Sequence, residues 1–253
     1  LGIVADEDAV PCREMETFEP VRVLKDPAGR TVYDFGANIA GWCEIEVEGA
    51  AGAKVEIDYD ERMTPTNTPH GHIIAYIVRA GEKRPVQHDE YTLAGRGAVE
   101  KWHPRFTYHG FRYAWVKTVG DVRVKAIRAR FVYSDFRRVG TLETSDKTFA
   151  ALQAAAMRSY LSNFTGIPTD CPHREKNGWT GDAQIFFQTA SYLVDYASFS
   201  KKYLRDVYDW QTKDGCLPQI APYGGVDFYM WTLNGSVGWS DAGILIPYRF
   251  WKM

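Results

Sequence analysis

Cysteine is scarce in this chain: Cys12, Cys43, Cys171 and Cys216 stand far apart in 253 residues and form no Cys-x-x-Cys pair. Such spacing argues neither for a zinc site nor for a disulfide scaffold. Long hydrophobic runs are missing too, since no apolar stretch approaches the ~20 residues that a membrane-spanning helix needs. Nor is there an excess of one charge, with 30 Lys and Arg against 32 Asp and Glu and a formal net charge of −2. A balance of that kind offers no basic surface to neutralise phosphates and argues against nucleic acid as a partner. No secretory leader is in view, but the chain begins at Leu1 rather than Met, so the compartment stays open.

What the chain has in quantity is aromatic side chains, 14% of it, including 8 Trp and 15 Tyr. Their first use is a large core; stacking against sugar rings is a second. The length suits one large domain or two of ordinary size.

The pattern changes near residue 140. Before it, "TVYDFG" (31–36), "GWCEIEVEG" (41–49) and "AKVEIDYDERM" (53–63) alternate apolar and polar residues, placing Cys43, Ile45 and Val47, then Val55, Ile57 and Tyr59, on one face. Further strands fit 89–95, 111–120 and 122–134, with turn signals between them, and the pattern predicts an antiparallel β-sandwich over 1–140. The stretch 64–76 reads as a long solvated loop, and its His70 and His72 lack a third residue to complete a metal site. After "GTLETSD" (140–146), Phe149, Leu152, Ala156 and Tyr160 recur at helical spacing, with Ser145 or Asp146 as N-cap. Helices are also expected over 182–195 and 197–213, and from near Asp241 onward. Residues 141–253 therefore read as an α-helical domain. Four helices are few for so many aromatic residues, and the chain reads as ending inside that domain.

One segment between the first two helices is dense in chemistry: "TDCPHREKNGWTGDAQ" (169–184). Pro172 and Gly178 block a continuous helix through it, so it is a loop, the usual carrier of catalytic groups on a rigid scaffold. Each residue has a plain structural use. Asp182 could N-cap the next helix, Asp170 could satisfy backbone donors, Arg174 could pair with either acid, and Trp179 could plug the core. Taken together they suggest more. A carboxyl beside an aromatic wall and other carboxylates has its protonated form favoured, so Glu175 could act as a general acid. Acid pairs with aromatic walls suit glycoside hydrolysis.

The stretch "DCPHREKNGWTGDAQ" (170–184) resembles the signature D-C-P-x-R-E-x-x-G-W-x-G-D-A-Q of the bacterial α-L-rhamnosidases, glycoside hydrolase family seventy-eight. "YDFGANIAGW" (33–42), "HPRFTYHGFRY" (103–113), "IAPYGG" (220–225) and "GWSDAGILIPY" (238–248) resemble other parts of that family, so the likeness covers nearly the whole chain. It implies an inverting hydrolase of terminal α-L-rhamnose built from a β-sandwich and an (α/α)6 barrel, of which this chain would hold the first half. It implies Glu175 as general acid and Asp170 and Asp182 as grips on rhamnose hydroxyls that also hold the acid's proton. Arg174 and Trp179 would line the sugar pocket, with Trp231, Trp239 and Asp241 as further pocket residues. No metal or organic cofactor is implied. His173 stands where Gln or Thr is usual, and Lys176-Asn177 where Arg-Leu is common. The family's general base is a glutamate far downstream, and no acidic residue follows Asp241 here. That leaves a base expected beyond Met253, and as an alternative function a carbohydrate-binding fragment without turnover. A homodimer that covers exposed helix faces is a further expectation.

Overall fold

The computed structural model describes residues 9–71, 87–224 and 234–253. Among them, eight strands come first: β1 (Cys12–Phe18), β2 (Arg22–Lys25), β3 (Thr31–Gly49), β4 (Lys54–Asp60), β5 (His88–Thr92), β6 (Glu100–Trp102), β7 (His109–Val119) and β8 (Val122–Ser134). Four helices follow, α1 (Lys147–Ser162), α2 (Thr180–Leu193), α3 (Ala197–Asp209) and α4 (Ala242–Lys252). All eight strands join one curled sheet in the order β1-β8-β3-β7-β4-β5, with β2 and β6 also paired to β3. β3 runs antiparallel to β2, β6, β7 and β8, and β4 runs antiparallel to β5 and β7.

By its contacts the chain divides into two units. One is Glu14–Tyr133 together with Cys171–Glu175; the other is the chain up to Arg13, Ser134–Asp170 and Lys176–Met253.

In the β unit the alternation does what it predicts. Cys43, Ile45, Val47, Val55, Ile57 and Tyr59 are buried, and with Phe35, Phe111 and Phe131 they make the core. The outward acids of β3 meet bases of β8: Glu44 with Arg130 at 2.7 Å, Glu46 with Arg128 at 2.8 Å and Glu48 with Lys125 at 2.7 Å. The two strands expected at 31–36 and 41–49 are one. The register against β7 shifts between Asp34 and Ile39, and Gly36 takes a φ of 76° there, so the chain bulges without leaving the sheet.

In the helical unit an aromatic cluster forms the core. Tyr160 and Phe164 ring centroids lie 4.3 Å apart, Phe136 and Phe199 5.1 Å, and Tyr196 and Phe199 5.4 Å. The N-cap of α1 is Asp146, whose carboxylate accepts from the N–H groups of Thr148 and Phe149. The expected apolar stripe of α1 is buried only at its end: Tyr160 and Leu161 are covered, whereas Phe149 and Leu152 are exposed. α3 buries Phe199, Tyr203 and Val207. α4 carries Pro247 in its interior, which cannot donate to the carbonyl of Gly243. Tyr208 Oη supplies the missing donor at 2.7 Å, so the helix continues with that acceptor satisfied. Among the described residues no helix is long and apolar enough to cross a membrane.

Candidate active site

The carboxylate-rich loop is tied down at its base. Asp170 N donates to Asn177 O at 3.1 Å, and Asn177 N donates back to Asp170 Oδ1 at 3.1 Å. That reciprocal pair closes the excursion of residues 171–176. Lys176 completes the turn with a φ of 52°, a left-handed conformation uncommon for a residue with a side chain. Asp170 thus has the backbone-satisfying use foreseen for it.

Beyond the turn, residues 178–180 are stitched to 218–221. Trp179 pairs with Ile220, Ala221 N donates to Gly178 O at 2.9 Å, and Thr180 N donates to Gln219 O at 2.8 Å. The approach at Gly178 is so close that a Cβ would sit 1.9 Å from Ala221 O, which only glycine avoids. Tyr203 Oη donates to Gly178 O at 2.9 Å. Burial first, then the neighbouring Tyr196, Asp206 and Asp182, push the Tyr203 hydroxyl well above its ordinary pKa, so it stays a donor.

α2 begins at Thr180, two residues before the expected start, because Thr180 N–H is already satisfied from outside the helix. Asp182 therefore lies in the first turn of the helix, and the N-cap position is held by Trp179. Its charge still suits the positive end of the helix. Asp182 lines a cavity of about 360 Å³ together with Tyr160, Asn163, Thr169 and Phe186. Tyr160 Oη and Asn163 Oδ1 are buried there without a hydrogen-bond partner among the described residues, and burial pushes the Tyr160 phenol up. Sequence reasoning placed Tyr160 only as a core position and passed over Asn163 and Thr169; nothing in their spacing marks them.

Trp239 packs its indole against the same turn, where a Cβ at Gly181 would lie 2.8 Å from Trp239 Cδ1. Asp241 is the N-cap residue of α4 and accepts from Gly238 N at 2.9 Å through Oδ2. The helical unit thus gathers Asp182, Trp239 and Gly181 at one helix end. Trp231 lies outside the described residues, as does His72. His70 is exposed on its loop, its N–H donating to Arg62 O.

Arg174 and Glu175 belong with the β unit. Arg174 Nε lies 3.2 Å from Glu175 Oε1, and both side chains are about one third exposed. Glu175 N donates to Cys171 Sγ at 3.4 Å. His173, the departure noted within the signature, has Nε2 3.6 Å from Glu61 Oε2.

Comparison with known proteins agrees over most of the chain. Residues 24–140 match the family model of the bacterial α-L-rhamnosidase concanavalin-like domain, and residues 137–253 match that of the bacterial α-L-rhamnosidase six-hairpin glycosidase domain. An α-L-rhamnosidase of Formosa agariphila is 36% identical over 196 residues, 77% of this chain and 20% of its own. One of Streptomyces avermitilis is 33% identical over 252 residues, 99% of this chain and 23% of its own. Among solved structures, the Streptomyces avermitilis α-L-rhamnosidase complexed with L-rhamnose superposes with a TM-score of 0.85 at 31% identity, over 97% of this chain and 23% of that one. The chain spans about a quarter or less of the length of these relatives. With the two models together matching residues 24–253 and relatives of one kind along the whole length, this chain belongs to the bacterial α-L-rhamnosidases.

Proposed function

We propose that this chain serves the hydrolysis of terminal α-L-rhamnosides with inversion, and that Glu175 is the general acid. In this reading Glu175 gives its proton to the glycosidic oxygen as the bond from that oxygen to the sugar's anomeric carbon breaks. A water attacks the opposite face of the ring and yields its proton to a base carboxylate. The two carboxyls of such a pair stand ~6.5–9.5 Å apart to leave room for that water. No residue of this sequence is assigned as the base. Asp170 and Asp182 grip sugar hydroxyls, Arg174 and Trp179 line the pocket, and Trp239, Asp241 and Trp231 extend it.

The observation that carries the reading is the accessibility of the Glu175 carboxyl, about one third open to solvent with Arg174 Nε 3.2 Å away. A purely structural pair would gain little from that half-exposed position, whereas an acid must be reached by its substrate. The rhamnose bound to the Streptomyces avermitilis relative supports the choice of sugar. Residues 1–140 are read as a β-sandwich domain and residues 141–253 as part of an (α/α)6 barrel. A second copy of the chain is read as packing on the exposed apolar faces of α2 and α4.

Hydrolysis of an aryl α-L-rhamnoside is the test, with Glu175→Gln beside the parent. Loss of a proton donor lowers kcat by about 10²- to 10⁴-fold on a phenol that leaves with difficulty. Equal, measurable rates in the two proteins would remove Glu175 from the role, whereas no turnover in either would favour the carbohydrate-binding fragment.

A further inference from the structure

The turn that bears Glu175 rests on the sheet at a glycine. A Cβ at Gly110, the second residue of β7, would lie 2.9 Å from His173 Cβ, 2.9 Å from Pro172 Cγ and 3.1 Å from His173 N. A methyl there would have to displace a proline ring and a backbone nitrogen, neither of which swings aside as a flexible side-chain end does. The bare Cα is what lets turn and strand meet.

Gly110 is itself gripped on both polar groups. Gln87 Nε2 donates to Gly110 O at 2.9 Å, and Gly110 N donates to Gln87 Oε1 at 2.9 Å. The neighbouring strand β4 ends at Asp60, opposite Tyr113, so along this edge of β7 the Gln87 carboxamide stands in for a strand's peptide. One residue back, His109 Nε2 lies 3.1 Å from Asp89 Oδ1 and the imidazole stacks on Tyr59 with centroids 4.2 Å apart. Tyr59 Oη donates to Asp89 Oδ2 at 2.7 Å. Gln87, Asp89, His109 and Tyr59 are all buried. Buried polar groups contribute little cohesion for their desolvation; what their mutual hydrogen bonds fix is position. On the turn's side, Glu61 approaches His173 and is steadied by Asn38 Nδ2 at 2.9 Å.

We propose that Gly110, clamped by Gln87, is a positioning residue for Glu175. It sets the height of the Pro172–His173 peptide above the sheet and, through it, the place of the carboxyl two residues further on. The proposal rests on the reading of Glu175 as proton donor. A group misplaced by about 1 Å can lose ~10²-fold in rate, so an added methyl at this seat reaches the chemistry without touching substrate.

The experiment compares the parent protein with Gly110→Ala, Gln87→Glu and Glu175→Gln on two aryl α-L-rhamnosides. One releases a phenol that needs a proton; the other releases an activated phenol that leaves unaided. Gly110→Ala is expected to lower kcat about 10- to 100-fold on the first and spare the second, with KM held within about two-fold, when both proteins are assayed well below their thermal midpoints. Gln87→Glu keeps one of the two bonds and sets an oxygen against the Gly110 carbonyl, so it moves the same way by less. Equal loss on both substrates, or no loss on either while Glu175→Gln fails on the first, overturns the seat. No loss in Glu175→Gln overturns the reading of the acid instead. Hydrogen exchange at the amides of Cys171 and residues 173–175 then decides the seat by itself. Faster exchange there in Gly110→Ala, with the rest of the sheet unchanged, upholds it; unchanged protection overturns it.

Discussion

In the β unit the apolar residues of β3 and β4 are buried and the acids of β3 are paired off, with Phe106 the fully exposed aromatic of the region; the helical unit buries a ring of aromatics but leaves many large apolar side chains in water. The exposed apolar residues of the sheet region are mostly valines, such as Val21, Val23, Val99 and Val119. Those of α2 and α4 are bulkier: Ile185, Tyr192, Ile244, Tyr248 and Trp251, the last 79% exposed. The difference follows from periodicity. A strand of period two sorts its residues cleanly between a core and a polar face, whereas α2 and α4 are apolar around much of their circumference. Helices of that kind are built to be covered on more than one side.

The sharpest contrast is between core aromatics. Phe111→Ala in the sheet and Phe199→Ala in α3 each empty a fully buried site and should cost about 3–5 kcal/mol in denaturant unfolding. A loss below ~1 kcal/mol at Phe199 would show the helical core to be loosely held and sharpen the contrast.

Next in size is Arg112→Ala. Burial alone would raise the pKa of Asp34, but the Arg112 guanidinium at 2.8 and 3.0 Å, the Gly36 N–H and Arg22 outweigh it and hold the carboxyl below its ordinary value. A carboxyl depressed in the folded state stabilises above its unfolded pKa and loses that contribution as pH falls through its folded one. The variant should therefore lose about 1–3 kcal/mol near pH 7, and the gap to the parent should close in acid below ~4. Glu100 carries the same linkage further down. The Tyr91 hydroxyl, followed by the N–H groups of Ala94 and Gly95, draws its carboxyl to about 2, so its own contribution fades only toward that pH. Urea melts at a series of pH values check both.

The smallest effect is expected at Trp251→Ser on α4, within about 0.5 kcal/mol of the parent, because little is lost where little is buried. The same variant tests the second copy: light scattering that reports a dimer for the parent and a monomer for the variant would place the contact on this face. A monomer in both would remove the dimer.

How much of this was legible in the sequence differs between the units for the same reason. "GWCEIEVEG" and "AKVEIDYD" declared their faces because alternation is local. β1 and β6 did not: the first is largely exposed, with no alternating burial, and the second is three residues long. The apparent break after Gly36 misled because a bulge and a turn carry the same glycine signal. Helix starts were readable to within two residues, Asp146 by its capping chemistry, while Thr180 opens α2 through a bond to Gln219 far along the chain. In the candidate site the carboxylates were visible as a motif. The Gly110 seat was not, since a glycine's meaning there depends on Pro172 and His173, which only the fold brings to it.

The matched rows of β3 and β8 have a further consequence, for anything that diffuses toward them. Glu44, Glu46 and Glu48 each end within 3 Å of a base of the facing strand, so opposite charges alternate over a few ångströms. Fields of such closely spaced opposites cancel within about a Debye length, ~8 Å at physiological salt. From further out, this densely charged face meets an approaching molecule as a nearly uncharged wall, and encounter with it is left to shape and chance rather than to long-range attraction.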